Sequence, residues 1–335
     1  MTSNSKIRRI LLSLAAFALA ACLLALVVRR AEDPQTLVKT LGDALSRPAR
    51  LAAGVALFSV SLMCGLLRWY ILLRALKLPV RFREALRLYA TGHFFNVLGP
   101  GATGGDLVKA AWIASEIPPG KRTTAVASIA AERLIGLMAM ITFIFCITLL
   151  RPDFFNAGAA LSGLRHTIRL LFAGTVLFFI LLTTVSRKSP ADIIKLREGG
   201  FASRIMAVIV AVWRTFRVCL THPGASLGAF AFSLANHITD TCVYFLLSRA
   251  LRMELPFRDM IVASPIANLT AAIPLTPGGV GFRENALQYM LSAAGIPPDQ
   301  SAALGILMLL TIIFWAVVCG GIMIFMRNRR SGTPG

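Results

Sequence analysis

The chain has 335 residues, 56% of them hydrophobic and only 15% charged, and its mean hydropathy is +0.72. Several apolar windows approach the ~20 residues needed to cross a bilayer, which excludes an ordinary soluble domain. The net charge of +20 invites a nucleic-acid reading, but the Lys and Arg residues punctuate apolar spans instead of forming a stripe. Anionic lipid headgroups attract charges placed in that way, so nucleic acid is not an expected partner.

At the N-terminus Lys6, Arg8 and Arg9 precede an apolar run, and Leu19-Ala20-Ala21-Cys22 matches a lipoprotein cleavage box. The run continues through Leu23, Leu24, Leu26, Val27 and Val28, so cleavage would leave a hydrophobic stub; an uncleaved transmembrane helix over 10–28 is the better expectation. Further full spans are predicted over 51–73, 123–150, 167–185, 225–247 and 302–325. Two more apolar segments, 85–114 and 259–294, are interrupted in the middle, and neither half of either is long enough to cross alone. They read as re-entrant helical hairpins. The stretch 201–220 is apolar but carries Arg204, Arg214 and Arg217 near Trp213, and fits an amphipathic helix lying in the interface.

The two interruptions are alike. One reads Leu98-Gly99-Pro100-Gly101-Ala102-Thr103-Gly104-Gly105-Asp106, the other Leu275-Thr276-Pro277-Gly278-Gly279-Val280-Gly281-Phe282-Arg283-Glu284, and their prolines are 177 residues apart. Gly/Pro-interrupted apolar segments at matching places in two halves point to the binding site of a transporter. Lys and Arg are enriched in cytoplasmic loops. With both termini cytoplasmic, 22 basic residues, among them Arg68, Arg87 and Lys109, fall on that side against 11 opposite, while Arg133 and Arg283 fall at membrane depth. The first half, 1–150, then starts inside with its hairpin (85–114) dipping from the cytoplasm, and the second, 167–326, starts outside with its hairpin (259–294) dipping from outside. The expected fold is a single all-α polytopic domain of the cytoplasmic (inner) membrane, an inverted repeat with three transmembrane helices and one re-entrant hairpin per half.

Candidate site residues follow from this scheme. In the first break Pro100, Gly101, Gly104 and Gly105 allow close approach of backbone to a ligand, Asn96 offers an amide, and Lys109 a charge one turn beyond Asp106. A helix starting near Asp106 points its free N–H groups toward the break, where an anionic headgroup is stabilised. The second break supplies Pro277, Gly278, Gly279 and Gly281 before Arg283 and Glu284, with Pro274 just ahead. Glu132 and Arg133 lie about 14 Å into their span, where unpaired charge is costly; Arg133 is expected to meet Asp106 or a lipid phosphate, and Glu132 to meet Arg283 or a re-entrant backbone end. His237 and Asp240, three apart beside Asn236, share a helix face and form a candidate proton-coupling pair, or else a packing hydrogen bond between spans. His93 reads as structural, and His166 and His222 as loop or interface residues. The six cysteines (Cys22, Cys64, Cys146, Cys219, Cys242, Cys319) read as small buried hydrophobes. No Ser/His/Asp constellation, metal-ligand spacing, Walker loop or dinucleotide fingerprint is present, so neither enzyme activity, metal nor cofactor is expected.

Three ordered motifs, Phe95-Asn96-x-x-Gly99-Pro100-Gly101-x-x-Gly104-Gly105-Asp106, Glu132-Arg133-Leu134-x-Gly136 and Ile273-Pro274-x-x-Pro277-Gly278-Gly279-Val280-Gly281-x-Arg283-Glu284, resemble those of the flippase-like transmembrane region of lysylphosphatidylglycerol synthases. The family also includes stand-alone members associated with hopanoid or glycolipid pathways. The synthases carry a soluble aminoacyltransferase domain after the membrane part, and no such segment follows Arg330 here. The resemblance therefore implies a role in translocating or binding a polar-headed or anionic lipid: a phospholipid, aminoacyl-lipid, hopanoid or polyprenyl-linked lipid. The competing expectation is an accessory subunit presenting lipid to a separate synthase or glycosyltransferase. A membrane-embedded transferase using Glu132, Asp106 or Glu284 as base is weaker, for want of a visible nucleophile or donor site.

Overall fold

The computed structural model describes residues 34–98, 104–185, 222–272 and 275–328, together with 21, 22, 24–26, 28 and 29. Among the described residues there is no strand. The helices are α1 Pro34–Leu45, α2 Pro48–Ala75, α3 Phe82–Leu98, α4 Gly104–Glu116, α5 Arg122–Leu150, α6 Pro152–Asn156, α7 Ala159–Val185, α8 Pro223–Ala250, α9 Phe257–Ala271, α10 Phe282–Ala293 and α11 Pro298–Asn328. Five of them (α1, α2, α6, α8, α11) begin on a proline, whose fixed φ suits the first helical position and whose missing N–H has no partner to lose there.

Helices α2 and α8 also end alike. Each is 28 residues long. Beyond α2, Lys77 takes φ 51° and Leu78 N donates back to Leu73 O at 3.1 Å; beyond α8, Arg252 takes φ 59° and Met253 N donates to Ser248 O at 3.0 Å. Both are Schellman turns, in which a left-handed residue lets two amides satisfy the last helical carbonyls. Each turn is followed by a proline and then by a Phe-Arg-acid start to the next helix: Pro79 with Phe82-Arg83-Glu84, and Pro256 with Phe257-Arg258-Asp259.

The expected spans and hairpins coincide with these elements. Helices α2, α5, α7 and α11 are long and apolar enough to cross a membrane. Helix α8 matches them in length but is more polar, since it carries Ser233, Asn236, His237, Asp240 and Thr241. Both interrupted segments are helix pairs, α3 with α4 and α9 with α10. Helices α1 and α6 were not foreseen, and α7 begins at Ala159, so His166 is helical and not in a loop. The first span, 10–28, falls mostly outside the described residues, and the interfacial segment 201–220 falls wholly outside them. Arg68, Arg87 and Lys109, counted from sequence among the cytoplasmic charges, are buried inside helices, which leaves 19 against 11 in the charge comparison. Cys64 and Cys319 are buried, as expected, but Cys22 and Cys146 are exposed on helices.

The chain forms two compact units, each drawing on both sequence halves. One comprises 1–63, 86–109 and 236–335. Within it α9 packs on α10, α10 on α11, and α11 on α1. Tyr244, Leu247, Val262, Leu287, Leu291 and Leu304 are fully enclosed in it. Small residues set close helix approaches, as in membrane packing generally: a Cβ at Gly54 would lie 2.8 Å from Leu247 Cδ2, and one at Gly320 2.7 Å from Phe94 Cδ2. Trp315 Nε1 donates to Val55 O at 2.7 Å. The other unit comprises 64–85 and 110–235. There α5 packs on α7 with α6 against both, around Leu72, Ala131, Ile135 and Ala229. Trp69 Nε1 donates to Ser128 Oγ at 3.1 Å in the same unit.

Candidate functional site

The first unit gathers both glycine-rich breaks. Helices α3 and α4 touch backbone to backbone: a Cβ on Gly105 would sit 2.0 Å from Gly92 O and 2.6 Å from Asn96 N, so only glycine fits. That contact brings the Asn96 amide across the tip, where Nδ2 donates to Asp106 Oδ1 at 3.3 Å while Asn96 Oδ1 is buried with no hydrogen-bond partner. Asp106 and Gly104 are half-buried and Lys109 is buried, its Nζ 5.1 Å from the Tyr89 ring centroid. Pro100 and Gly101, like Gly99 and Pro274, lie outside the described residues.

In the second break Pro277–Gly279 forms a single 3-10 turn, and Gly279 at φ 72° lies against α9 so closely that a Cβ would be 2.4 Å from Ala271 Cβ. Gly278 faces the other hairpin. An added Cβ there would stand in ordinary contact with Asn96 O at 3.7 Å and Val97 Cα at 3.9 Å. The two motifs, far apart in sequence, are thus brought together.

Charge in the second tip is consumed internally. Glu284, at the third position of α10, accepts from Gly281 N at 2.6 Å through Oε2, half of a capping box. Its Oε1 accepts from Arg283 Nε at 3.0 Å and from Arg283 Nη2. Both side chains are buried, and Gly305 of α11 makes the room, since a Cβ there would lie 3.1 Å from Glu284 Cγ. On α8, Ser61 of α2 meets the polar group: Ser61 Oγ donates to Asp240 Oδ1 at 2.5 Å, and Asn236 Nδ2 donates to Ser61 O at 3.0 Å and to Ser61 Oγ. These bonds join α2 to α8 through the polar cluster. Near it Tyr244 Oη donates to Asn268 Oδ1 at 3.4 Å, and Thr241 and Ser264 share a hydroxyl contact at 2.9 Å.

In the second unit Glu132 is buried and pairs with Arg68, Nη2 to Oε1, at 2.8 Å. This partner was not the one expected. Glu132 was assigned to Arg283 or a backbone end, whereas the structure pairs Arg283 with its neighbour Glu284 and Glu132 with a cation from α2. Gly136 explains the spacing in Glu132-Arg133-Leu134-x-Gly136: four residues apart on one face of α5, Glu132 takes the guanidinium and Gly136 leaves space for it, a Cβ there falling 2.8 Å from Arg68 Nη1. Arg68 Nη1 also reaches Ser233 Oγ at 3.5 Å. Arg133, next to Glu132 but on another face, is exposed. The signal for Arg68 was available in the sequence, as a charge five residues before the end of an expected span.

The helices define an all-α polytopic membrane protein, with two broken helical hairpins meeting in one compact unit. Residues 10–321 match the lysylphosphatidylglycerol synthase TM region, and the chain belongs to that family. Similar proteins include a UPF0104 membrane protein of Methanothermobacter thermautotrophicus, 24% identical over 76% of this chain and 77% of the relative. A UPF0104 membrane protein of Pyrococcus horikoshii is 22% identical over 82% of this chain and 86% of its own.

Proposed function

We propose that the protein binds a polar-headed or anionic lipid at the paired hairpin tips and translocates it between leaflets of the cytoplasmic membrane. The observation that carries this reading is the meeting of Gly278 with Asn96 and Val97, which puts both broken-helix tips at one place. Discontinuous helices that converge in this way present backbone N–H groups and dipole ends to a headgroup at membrane depth. Asn96 Oδ1 adds a buried acceptor there for a headgroup hydroxyl or ammonium. Independently of the tips, Arg133, exposed on the spanning helix α5 of the other unit, is proposed to meet a lipid phosphate.

The two halves act as inverted copies, with both termini cytoplasmic. Support comes from the paired 28-residue helices, their matching Schellman turns at Lys77 and Arg252, and the Phe-Arg-acid starts that follow, 175 residues apart. In the sequence-based charge scheme, 19 basic residues against 11 stay on the cytoplasmic side once Arg68, Arg87 and Lys109, buried among the described residues, are set aside. In this reading His237 and Asp240 couple proton movement to transport, with Ser61 holding the carboxylate.

The test is translocation of fluorescent phosphatidylglycerol in proteoliposomes containing only this protein. Wild type is expected to move the lipid, and Arg133→Gln to lose movement while remaining folded. Protein that retains lipid through purification yet moves none would replace the carrier with a presenting subunit for a synthase or glycosyltransferase. Translocation unaffected by Arg133→Gln would remove the phosphate role of that residue.

A further inference from the structure

Within the first unit, where α2 begins and α8 stops, arginines gather around one carbonyl. Arg249 O, in the last turn of α8, accepts from Arg47 Nη1 at 3.5 Å, from Arg50 Nη1 at 3.3 Å and from Arg252 N at 3.4 Å. A carbonyl has two lone pairs, so three donors oversubscribe it, and capping of the helix end accounts for one of the two guanidiniums at most. Because both reach the same atom, two full positive charges stand a few ångströms apart, with a repulsion that a carbonyl dipole does not cancel. Arg249 itself lies with Cζ 4.9 Å from the Phe245 ring centroid, and its Nη1 donates to Met253 O at 3.4 Å. Among the described residues, the one carboxylate paired with any of these four arginines is Asp43, whose Oδ1 is 3.8 Å from Arg252 Nε. Four guanidiniums therefore share one acid at a long distance, and most of their N–H groups are not spent on protein acceptors.

We propose that Arg47 and Arg50, flanked by Arg249 and Arg252, bind the phosphate of an anionic phospholipid at the membrane surface. A guanidinium fork matches two phosphate oxygens, and a phosphate between two forks turns their repulsion into attraction. The setting favours a lipid over a free phosphate. Helix α2 is long and apolar enough to cross a membrane and starts at Pro48, which places both arginines at headgroup level. Helix α1, which leads into them, leaves Val38 70% and Leu45 74% exposed, an apolar surface that acyl chains cover and a free anion does not. The site is separate from the hairpin tips. Helix α9 starts beside it at Phe257, whose ring meets Phe245 edge-on at 5.2 Å, and runs to Ala271 before the second break, about 22 Å further on at 1.5 Å per residue. A lipid held here ties the α1–α2 turn to the end of α8 and needs no movement between leaflets.

Equilibrium binding of radiolabelled phosphatidylglycerol to the purified full-length protein in detergent micelles tests this. Wild type is expected to bind it saturably, with displacement by unlabelled phosphatidylglycerol but not by phosphatidylcholine or inorganic phosphate. Arg47→Gln/Arg50→Gln should weaken the site at least about tenfold. Arg50→Gln alone, at an exposed position, should give a smaller loss and carries the test should the double variant fail to fold. Translocation by the folded double variant should match wild type, and wild type that binds here yet moves no lipid would count against the carrier reading alone. Wild-type affinity in Arg50→Gln and in a folded double variant overturns the proposal. Displacement by inorganic phosphate overturns it too, by making the ligand a free anion. Loss of binding and translocation together would put the arginines on the carrier path and overturn a separate surface site.

Discussion

The two hairpins close by the same device and differ in how their polar groups are satisfied. In α3/α4 the close approach is Gly105 against Gly92, and in α9/α10 it is Gly279 against Ala271. At the second tip Glu284 caps its own helix, pairs with Arg283 and is enclosed. At the first tip Asp106 is half-buried, its bond from Asn96 is long at 3.3 Å, and Asn96 Oδ1 has no partner. A neutralised, capped tip is a fixed wall, while the first tip keeps one unspent acceptor, Asn96 Oδ1, for a ligand. On the lipid-binding proposal, the second hairpin holds the geometry and the first does the recognising.

The closing glycines should show the largest effects. Gly105→Ala sets a methyl 2.0 Å from a backbone oxygen, where no side chain can move aside, and the hairpin has to open. Loss of monodisperse protein on size exclusion is the expected result. Gly279→Ala adds a left-handed backbone penalty of about 1–2 kcal/mol to overpacking of about 1–3 kcal/mol, and should leave protein with a clearly lowered thermal midpoint. A Gly105→Ala protein with a wild-type midpoint would mean that the first hairpin is not closed by this contact.

Next in size is the contrast between the two acids. Glu284→Gln leaves the Arg283 guanidinium buried without its counter-charge and should cost about 3–5 kcal/mol. Asp106→Asn keeps the shape at a half-buried position and should cost about 1 kcal/mol, its larger consequence falling on lipid retention. Chemical denaturation of both variants in detergent measures the order. Equal costs, or the reverse order, would remove the division between a fixed wall and a recognising tip.

Much of this was legible in the sequence because the governing signals are local. Apolar run length set the spans, and the repeated Pro-Gly-x-x-Gly located both hairpins, whose helices break where glycine clusters remove propensity and allow φ 60–88° at Gly278, Gly279 and Gly281. The partners of buried charges were not legible, since pairing depends on which faces pack. Glu132 finds Arg68 across 64 residues of chain, and Asp240 finds Ser61 across 179. Arg68 was also misplaced because, though inside the expected span 51–73, it lies near the span's end and was counted with the basic residues of the loop that follows. Helix α1 was missed because its buried residues, Leu37 and Ala44, are seven apart on one face and too few to mark a span.

The smallest expected effect is the one most diagnostic of duplication. Lys77 and Arg252 hold left-handed φ at equivalent turns, a conformation that glycine adopts without the Cβ penalty. Lys77→Gly and Arg252→Gly should each stabilise by about 0.5–1 kcal/mol, part of the gain being lost to the extra freedom of glycine in the unfolded chain. The Arg252 contact with Asp43, 3.8 Å between half-exposed or exposed groups, should take little from the second value. Paired rises in thermal midpoint would show the two turns doing the same work in both halves. A rise at Lys77 matched by a fall at Arg252 would mean that the Arg252 side chain, rather than the turn it occupies, holds the end of α8, and would weaken the case that the halves descend from one unit.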